Sequence, residues 1–587
     1  MEAVPMQRAE TGKEVTNSHD TESSQRGGPD ASATMTNISR RSFLGRVGTV
    51  AGVAAASGAM TVFEPLIAGE SSKAHANEIG PLDDATRATA SLTYRTNIAN
   101  ANSALPLVSH PCNGDEALYA DKCATFTKTL VHDNFGRVDL GSSYPSFINA
   151  LTTGNPLDFS AMGMGGPRRM TSPQSGLAFD PEGTDAHNFT IPPAPAMAGP
   201  QTAAEMVEMY WASILRDVNF IHYATHPTAI AAAAELNLLP GYAGPRNGSN
   251  TVTTNELFRG SFPGETVGPY VSQLMLIPTN FGNQPISQKF ITFVRGIDFM
   301  TDFPSWLAVQ NGGSIGQSLQ FDPTPRYIRN GRDFSAWTHV DVLYQGYLIA
   351  FLVLAGMGAP VNPGNPYLGS TTQDGFTTFG GPDFAATIGE VATRALKASW
   401  YQTWFVHRRA RPEVPGALAQ LVKTGQGGQT DCTMGADLLN SKALAASFRH
   451  NSSYLLSQAF PEGSPAHPSY PTGHGTVGGA CITILKFFFD GNFVIPNPVV
   501  PNAAGTLLNP YVGPALTVQG ELNKLAHNVT FGHGIHPAIH YRSDSDSSLA
   551  LGEAVALSIL QDKAAAYNEK FSVTLTKFDG TTATISN

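Results

Sequence analysis

The stretch Ala466-His-Pro-Ser-Tyr-Pro-Thr-Gly-His-Gly-Thr-Val-Gly-Gly-Ala480 is the most informative part of this chain. Its Pro471-Thr472-Gly473 turn stands directly before His474, which opens an apolar run typical of a buried helix. The first N–H groups of a helix lack intrahelical partners, and the helix dipole favours negative charge there. The turn therefore predicts a site for a tetrahedral oxyanion such as phosphate, with His474 beside it as an acid or base.

Two further segments place charged and imidazole side chains in patterns that suit the same chemistry. Arg411 directly precedes Pro412, which is expected to end a helix. Arg411 would then project from the last turn of that helix, with its planar guanidinium free to bind an anion. His540 and Asp544 stand four residues apart, so the carboxylate would orient the imidazole if this segment is helical.

Three motifs in a fixed order make the chain resemble a known family. They are Arg-Pro-Glu at 411–413, His-Pro-Ser-Tyr-Pro-Thr-Gly-His at 467–474 and Ile-His-Tyr-Arg-Ser-Asp at 539–544. With segments 258–265 and 268–270, they resemble the vanadium-dependent haloperoxidases, in the algal and bacterial branch related to the type-2 acid phosphatases. The resemblance covers roughly residues 92–567 and implies a mainly α fold of two helical bundles with long structured loops.

The resemblance also implies a set of residues around a bound vanadate. His540 matches the histidine bonded to the metal oxyanion, or to a phosphoryl group as phosphohistidine in a phosphatase-like state. The matching positions are His474, His540 and Arg411 as catalytic residues, Thr472, Gly473, His533 and His467 as anion-binding residues, and Asp544 as the support of His540.

Two cations of the family pattern are missing here. The family lysine falls on Thr403 or Trp404, and Lys397 would lie about 21 Å along a helix from Arg411. The second arginine falls on Gly534, with His533 beside it. Each charge-assisted bond is worth about 1.5–3 kcal/mol in a desolvated site, so their loss would weaken vanadate binding roughly a hundredfold or more.

The missing cations shape the expected function. We expect a haloperoxidase-fold isomerase of secondary metabolism that needs no cofactor and rearranges an α-hydroxyketone, with a prenyl shift, in a small aromatic polyketide–terpenoid substrate. The alternative is a working vanadium-dependent chloroperoxidase or bromoperoxidase that oxidises halide with hydrogen peroxide. A phosphatase-like state with phosphate at His540 and a non-catalytic binding protein are further alternatives. A zinc site at His533, His536 and His540 is a weaker one, because Gly534 and Pro537 interrupt the helix.

The composition and the N-terminal residues limit which binding partners and which cellular location are expected. The net charge of −10 without a basic stripe argues against nucleic acid. Residues 1–76 are expected to form a disordered leader and a twin-arginine signal around Arg40 and Arg41, so that the protein is exported, or otherwise stays cytoplasmic. The apolar stretch 47–66 contains Glu64, so no membrane anchor is expected. Residues 77–587 are expected to form a single domain, and the family resemblance implies a homo-oligomer, with a homodimer expected.

Periodicity and cysteine spacing complete the sequence-based expectations. Residues 571–585 suggest a terminal β-hairpin. Cys112 and Cys123 are close enough in sequence to pair, whereas Cys481 lies in an apolar run and is expected to be buried. Helical periodicity covers 202–223, 337–354, 387–410, 441–460, 475–490, 517–529 and 547–567.

Overall fold

The computed structural model describes residues 81–587, which are mainly α-helical. The leader and the twin-arginine signal, expected within residues 1–76, lie outside the described residues. Sixteen α-helices occur in the described part: α1 Asp84–Ser103, α2 Asp115–Leu118, α3 Ser143–Thr153, α4 Pro156–Ser160, α5 Pro200–Leu215, α6 Pro227–Leu236, α7 Phe303–Gln310, α8 Gly331–His339, α9 Gln345–Gly356, α10 Gly381–Tyr401, α11 Glu413–Lys423, α12 Ala436–Leu439, α13 Lys442–Asn451, α14 Gly473–Phe488, α15 Val518–His533 and α16 Arg542–Ala566.

The centre of the fold is helix α14, which the apolar run after His474 predicts. All of its residues except His474 are buried, and it packs against α10, α15 and α16. Glycines let α14 and α16 cross backbone to backbone. A Cβ at Gly479 would overlap the carbonyl oxygen of Leu549, and one at Gly552 would overlap that of Thr476. The crossing therefore tolerates no side chain at either glycine.

A second group of helices forms around α5. This helix begins with Pro200 at its first position and packs against α6, α12 and α13. Together the two groups confirm the mainly α fold class. None of the described helices has both the length and the apolar character needed to cross a membrane.

Strands are few and short, as expected from the sequence. The terminal hairpin is confirmed, since β5 and β6 pair antiparallel in register Thr574 to Thr584. Two smaller hairpins, which the sequence analysis missed, lie in loops and consist of three-residue strands. The strands are β1 Thr279–Phe281, β2 Gln284–Ile286, β3 Val499–Pro501, β4 Leu508–Pro510, β5 Ser572–Thr576 and β6 Thr582–Ser586.

Two of the predicted helices are interrupted, and both interruptions bear on the site. The helix predicted over 337–354 breaks between His339 and Gln345, where Asp341 turns inward. The helix predicted over 387–410 ends at Tyr401 and continues as a π-helical turn, Gln402–His407. Arg408 then adopts a left-handed conformation with φ of 39°, which ends the helical path before the arginine-rich segment.

Cys112 and Cys123, which are close enough in sequence to pair, are not bonded to each other. Cys123 is bonded instead to Cys432, 309 residues away, and Cys112 is free and exposed. Sequence proximity misled here because the segment from Ala124 pairs with the arginine-rich segment, as in the bridge from Thr125 to Arg409, and lies beside residue 432. Cys481 is fully buried, as expected.

We predict that replacing Cys123 and Cys432 together with serine lowers the free energy of unfolding by about 2–5 kcal/mol, because the cross-link restricts a long loop of the unfolded chain. Denaturant unfolding of the double variant beside the parent protein measures this. The matched control is Cys112→Ser, which removes an exposed free thiol and should leave the transition unchanged. Equal stability of the double variant and the parent would contradict the prediction.

Candidate active site

His540 lies at the centre of a cluster of buried polar side chains. It is fully buried and stands two residues before α16, so the condition that His540 and Asp544 share one helix is not met. The contact forms nevertheless, because Asp544 caps the start of α16 and its Oδ2 lies 3.1 Å from His540 Nδ1. Burial and the Arg411 guanidinium lower the pKa of His540 to about 4. The neutral imidazole therefore donates from Nδ1 to Asp544 and keeps a lone pair on Nε2.

Asp544 is held as a buried carboxylate by several donors. Arg409 Nη1 lies 2.8 Å from Oδ1, and the Tyr541 N–H and the Ser469 hydroxyl donate to Oδ2. Burial raises the pKa of Asp544, but the Arg409 charge and these hydrogen bonds outweigh burial and leave it below its usual value. Arg409 also stacks on the Tyr541 ring at 3.7 Å. Its role was not predicted from the sequence.

Arg411 supplies the cation that reaches His540. Its Nη1 lies 2.6 Å from His540 Nε2, its Nε donates to the carbonyl oxygen of His467, and its Nη2 contacts the His467 ring. The expected position on the last turn of a helix is wrong. Arg411 follows an extended stretch in which Ala410 N–H bonds the Ala124 carbonyl, and Pro412 is the N-cap of α11. Burial lowers the pKa of Arg411 to about 9.

The Pro471-Thr472-Gly473 turn lies against this cluster. Thr472 N–H contacts the Asp544 carbonyl oxygen at 3.4 Å, and Gly473 begins α14 with its N–H directed out of the helix. A Cβ at Gly473 would lie 3.0 Å from the Trp400 ring, so glycine is what fits between the turn and this tryptophan.

His474 belongs to a second, adjoining group. Its Nε2 lies 2.9 Å from Asp341 Oδ1, and its ring stacks on His533 with centroids 3.6 Å apart. The His533 ring in turn lies 5.6 Å from the His540 ring. Burial, with the neighbouring His474 and His540, lowers the pKa of His533 well below its usual value. His533 is thus a neutral group where the family pattern would supply a cation.

Asp341 was missed by the sequence analysis. It stands on the loop between α8 and α9 and is separated from His474 by 133 residues. Its Oδ2 is buried without a hydrogen-bond partner among residues 81–587, so its contacts centre on His474. A carboxylate in this position fixes the tautomer and the orientation of the imidazole.

The positions of the two missing cations can now be located. Thr403 is fully buried beneath the turn, and its hydroxyl donates to the Pro471 carbonyl oxygen at 3.2 Å. Trp404 instead packs edge-on against Phe126 and Phe147 and belongs to the core. A Cβ at Gly534 would lie 2.9 Å from the Thr530 carbonyl oxygen, so no larger residue fits there without a shift.

No other arginine of these motifs takes over the missing charges in the described structure. Arg408 bonds Glu116, Arg409 bonds Asp544, and Arg542 bonds Glu208. The zinc alternative also fails on geometry, since His536 Nε2 lies 3.0 Å from the Tyr270 hydroxyl. The one group in residues 81–587 with metal-binding spacing is Asp121 with Cys123 and Cys432, whose sulfurs form the disulfide.

The donors that remain fit a tetrahedral oxyanion. The Thr472 hydroxyl and His533 Nδ1 are buried without a hydrogen-bond partner in the described part of the chain. An unpaired buried polar group costs about 1–3 kcal/mol, and a ligand oxygen would remove that cost. His540 Nε2, Arg411, Thr472 and the Gly473 N–H are the groups that would hold such an anion, with one fixed cation among them.

Asp341→Asn is predicted to lower the rate of acid–base chemistry at His474 roughly 10–100-fold, because the amide keeps the shape of the carboxylate but can donate to Nε2 and favour the other tautomer. Steady-state kinetics of the variant beside the parent measures this, and oxyanion binding, followed with orthovanadate as the probe, is the control that should not change. A variant that loses orthovanadate binding in parallel with activity would place Asp341 in anion binding instead.

Known proteins resemble this chain over most of its length. The vanadium-dependent bromoperoxidase of Corallina officinalis is 33% identical over 590 aligned positions, which cover 85% of this chain and 98% of that protein. That of Ascophyllum nodosum is 35% identical over 483 positions, covering 78% and 86%. No family model matches the chain.

A solved structure shares the fold as well. The homohexameric second vanadate-dependent bromoperoxidase (AnII) of Ascophyllum nodosum superposes with a TM-score of 0.82 at 28% identity, covering 93% of this chain and 96% of that one. The homodimer expected for this chain stays a prediction. The sequence relatives and the shared fold establish that the chain belongs to the vanadium-dependent haloperoxidase family.

Proposed function

We propose that this protein binds vanadate at His540 and oxidises bromide with hydrogen peroxide. The observation that carries the proposal is the pair of contacts made by His540. Its Nε2 faces the Arg411 guanidinium, and its Nδ1 on the other side of the ring is hydrogen-bonded to Asp544. The relatives that cover most of the chain are bromoperoxidases, which supports bromide as the halide. The overall reaction is Br⁻ + H₂O₂ + H⁺ → HOBr + H₂O.

Bound vanadate would supply Lewis-acid activation of the peroxide. The chain's own residues have separate tasks. His540 binds through Nε2 in the tautomer that Asp544 fixes, and Arg411, Thr472 and the Gly473 N–H hold anion oxygens. His474, oriented by Asp341, accepts the proton of an incoming hydroperoxide. Arg411 as the one fixed cation implies weaker vanadate binding than a site with three.

The proposal is tested by equilibrium dialysis against orthovanadate in phosphate-free buffer, with vanadium counted per chain and bromination of a dione acceptor followed. We expect about one vanadium per chain and peroxide-dependent bromination. His540→Ala should lose both, whereas the control His450→Ala, which removes an exposed histidine on the last turn of α13, should lose neither. A chain that binds no vanadium up to millimolar orthovanadate overturns the proposal.

A second candidate is a cofactor-independent isomerase that rearranges an α-hydroxyketone, as in prenyl migration on an aromatic polyketide–terpenoid substrate. It is supported by the replacement of the two family cations by Thr403 and by Gly534 beside His533. In this reaction His474 would remove the hydroxyl proton, and Arg411 would stabilise the developing alkoxide. The electron pair released at oxygen forms the new carbonyl while the neighbouring group migrates to the former carbonyl carbon. The oxygen on that carbon then takes the proton back from His474, so no oxidant is consumed.

The two candidates predict opposite responses to vanadium. An isomerase would convert an α-hydroxyketone model substrate in vanadium-free, peroxide-free buffer, and the rate would fall in His474→Ala. Conversion that requires both orthovanadate and peroxide would favour the haloperoxidase and exclude the isomerase for that substrate.

A further inference from the structure

A cavity of about 280 Å³ lies outside the His540 cluster. It is near the lower end of ligand-binding pockets, which typically measure roughly 300–1,000 Å³. Its walls are largely apolar, and two of its aromatic rings, Phe220 and Tyr270, stack with centroids 3.8 Å apart. The apolar wall residues include Phe220, Ile221, Tyr223, Tyr270, Val271 and Ile328.

Arg259 lines this cavity and carries a positive charge. No carboxylate among the described residues contacts its guanidinium. It is 9% exposed, and its guanidinium donates to the backbone carbonyl oxygens of Glu265, Gly268 and Pro269. The Glu265 carboxylate is bonded to His527. The Tyr270 ring also faces the guanidinium at 5.1 Å, and Glu265, Glu521 and Glu256 act on it electrostatically without forming an ion pair. Because no carboxylate contacts the guanidinium directly, an anion in the cavity would gain a charge-assisted interaction.

Tyr223 supplies a free hydrogen-bonding group. The residue is 4% exposed and lines the cavity, yet its hydroxyl makes no hydrogen bond with residues 81–587. Burial alone raises its pKa, so the hydroxyl stays protonated and can donate. The second arginine of the lining, Arg329, is already paired with Asp333 through two nitrogens.

We propose that this cavity is a second small-molecule site, which binds a small aromatic carboxylate. The ring lies among the apolar side chains, the carboxylate faces the Arg259 charge, and the Tyr223 hydroxyl donates a hydrogen bond to it. The site is separate from the anion cluster at His540 and does not depend on the proposed halide oxidation.

The cavity wall also touches the loop that carries the active-site histidines. Tyr270 bonds His536 Nε2 at 3.0 Å, and Arg216 holds the His536 carbonyl oxygen at 2.9 Å. His536 lies between His533 and His540 in sequence. A ligand against Tyr270 therefore contacts the side chain that supports this loop.

Calorimetric titration of the whole protein with 2-naphthoate tests the proposal, with neutral 2-naphthamide as the matched probe. We expect saturable one-to-one binding of the carboxylate, with a Kd on the order of a millimolar or below, and binding of the amide about tenfold weaker or worse. Excess orthovanadate should leave the naphthoate Kd unchanged. Displacement by orthovanadate would place the probe at His540 and overturn the proposal, as would equal affinity for the amide.

Two variants locate the site. Ala224 is exposed at the cavity wall, so Ala224→Trp should fill the cavity and weaken naphthoate binding at least tenfold. Tyr223→Phe removes one hydroxyl and should weaken it about 2–10-fold. The matched control is Ala161→Trp at another exposed alanine, which should have no effect. With thermal unfolding unchanged, undiminished binding in Ala224→Trp, or no saturable binding to the parent protein, would overturn the proposal.

Discussion

Asp544→Asn is expected to lower the free energy of unfolding by about 3–5 kcal/mol, although it alters few atoms. The carboxylate faces Arg409 at 2.8 Å, and both side chains are almost completely buried. Removing the negative charge leaves the arginine without that partner, with Glu205 at 3.4 Å as its remaining carboxylate contact. The variant should also lose vanadium binding, because an amide NH₂ facing His540 Nδ1 favours the tautomer whose Nε2 carries a proton.

The Asp544 carboxylate also predicts in which direction the stability of the folded protein changes with pH. The pKa of Asp544 is lower in the folded protein than in the unfolded chain, so its contribution is complete above the unfolded value of 3.8. That contribution is lost as the pH falls through the lower, folded pKa. The parent protein should therefore lose stability in acid below about pH 4, and Asp544→Asn should lack this part of the loss.

Chemical denaturation between pH 3 and pH 7 measures both effects. Asp437→Asn is the control, because Asp437 is exposed on α12 and should change neither the stability nor its pH dependence. Unfolding curves of Asp544→Asn that coincide with those of the parent would contradict the role given to the Arg409–Asp544 pair.

Restoring the missing cations is expected to raise vanadate affinity about 10–100-fold for each cation. Thr403→Lys would extend an ammonium from beneath the turn, where the Thr403 hydroxyl now contacts the Pro471 carbonyl oxygen. His533→Arg would place a guanidinium beside His540, where an imidazole ring now lies 5.6 Å from the His540 ring. Gly534→Arg is the unfavourable comparison, because its Cβ would press on the Thr530 carbonyl oxygen.

Vanadate dissociation constants of the single and double variants, measured by equilibrium dialysis, test this expectation. Lys397→Arg is the control, because Lys397 is bonded to Asp180 and should not influence the anion. Correctly folded variants that bind vanadate no better than the parent would show that the anion does not lie between residues 403 and 533.

Local patterns predicted the parts of the site that depend on neighbouring residues. The turn before His474 and the buried helix α14 follow from glycine and proline positions and from a continuous apolar run. Arg411 was correctly placed in the cluster but on the wrong backbone. An extended segment puts residues two apart on one side, so Arg409 and Arg411 both turn toward the site, which a helix would not allow.

Contacts between distant segments could not be predicted. Asp341 interrupts a run of helical periodicity and stands beside two exposed valines, so nothing local marks it as the partner of His474. The bond from Cys123 to Cys432 likewise depends on how the chain returns after 309 residues. The role of Arg409 depends on its contact with Asp544, which the sequence does not show. Either charged residue alone would be compatible with a solvated surface position.

The glycine crossing of α14 and α16 bears on how this family can change its chemistry. Helix α14 begins one residue before His474 and α16 begins two residues after His540, so the backbone contact between the two helices sets the separation of the two histidines. Thr403 and His533 stand outside that contact. Substitutions at these two positions can therefore change the charge near the histidines while the helix contact, and with it the separation of His474 and His540, stays the same.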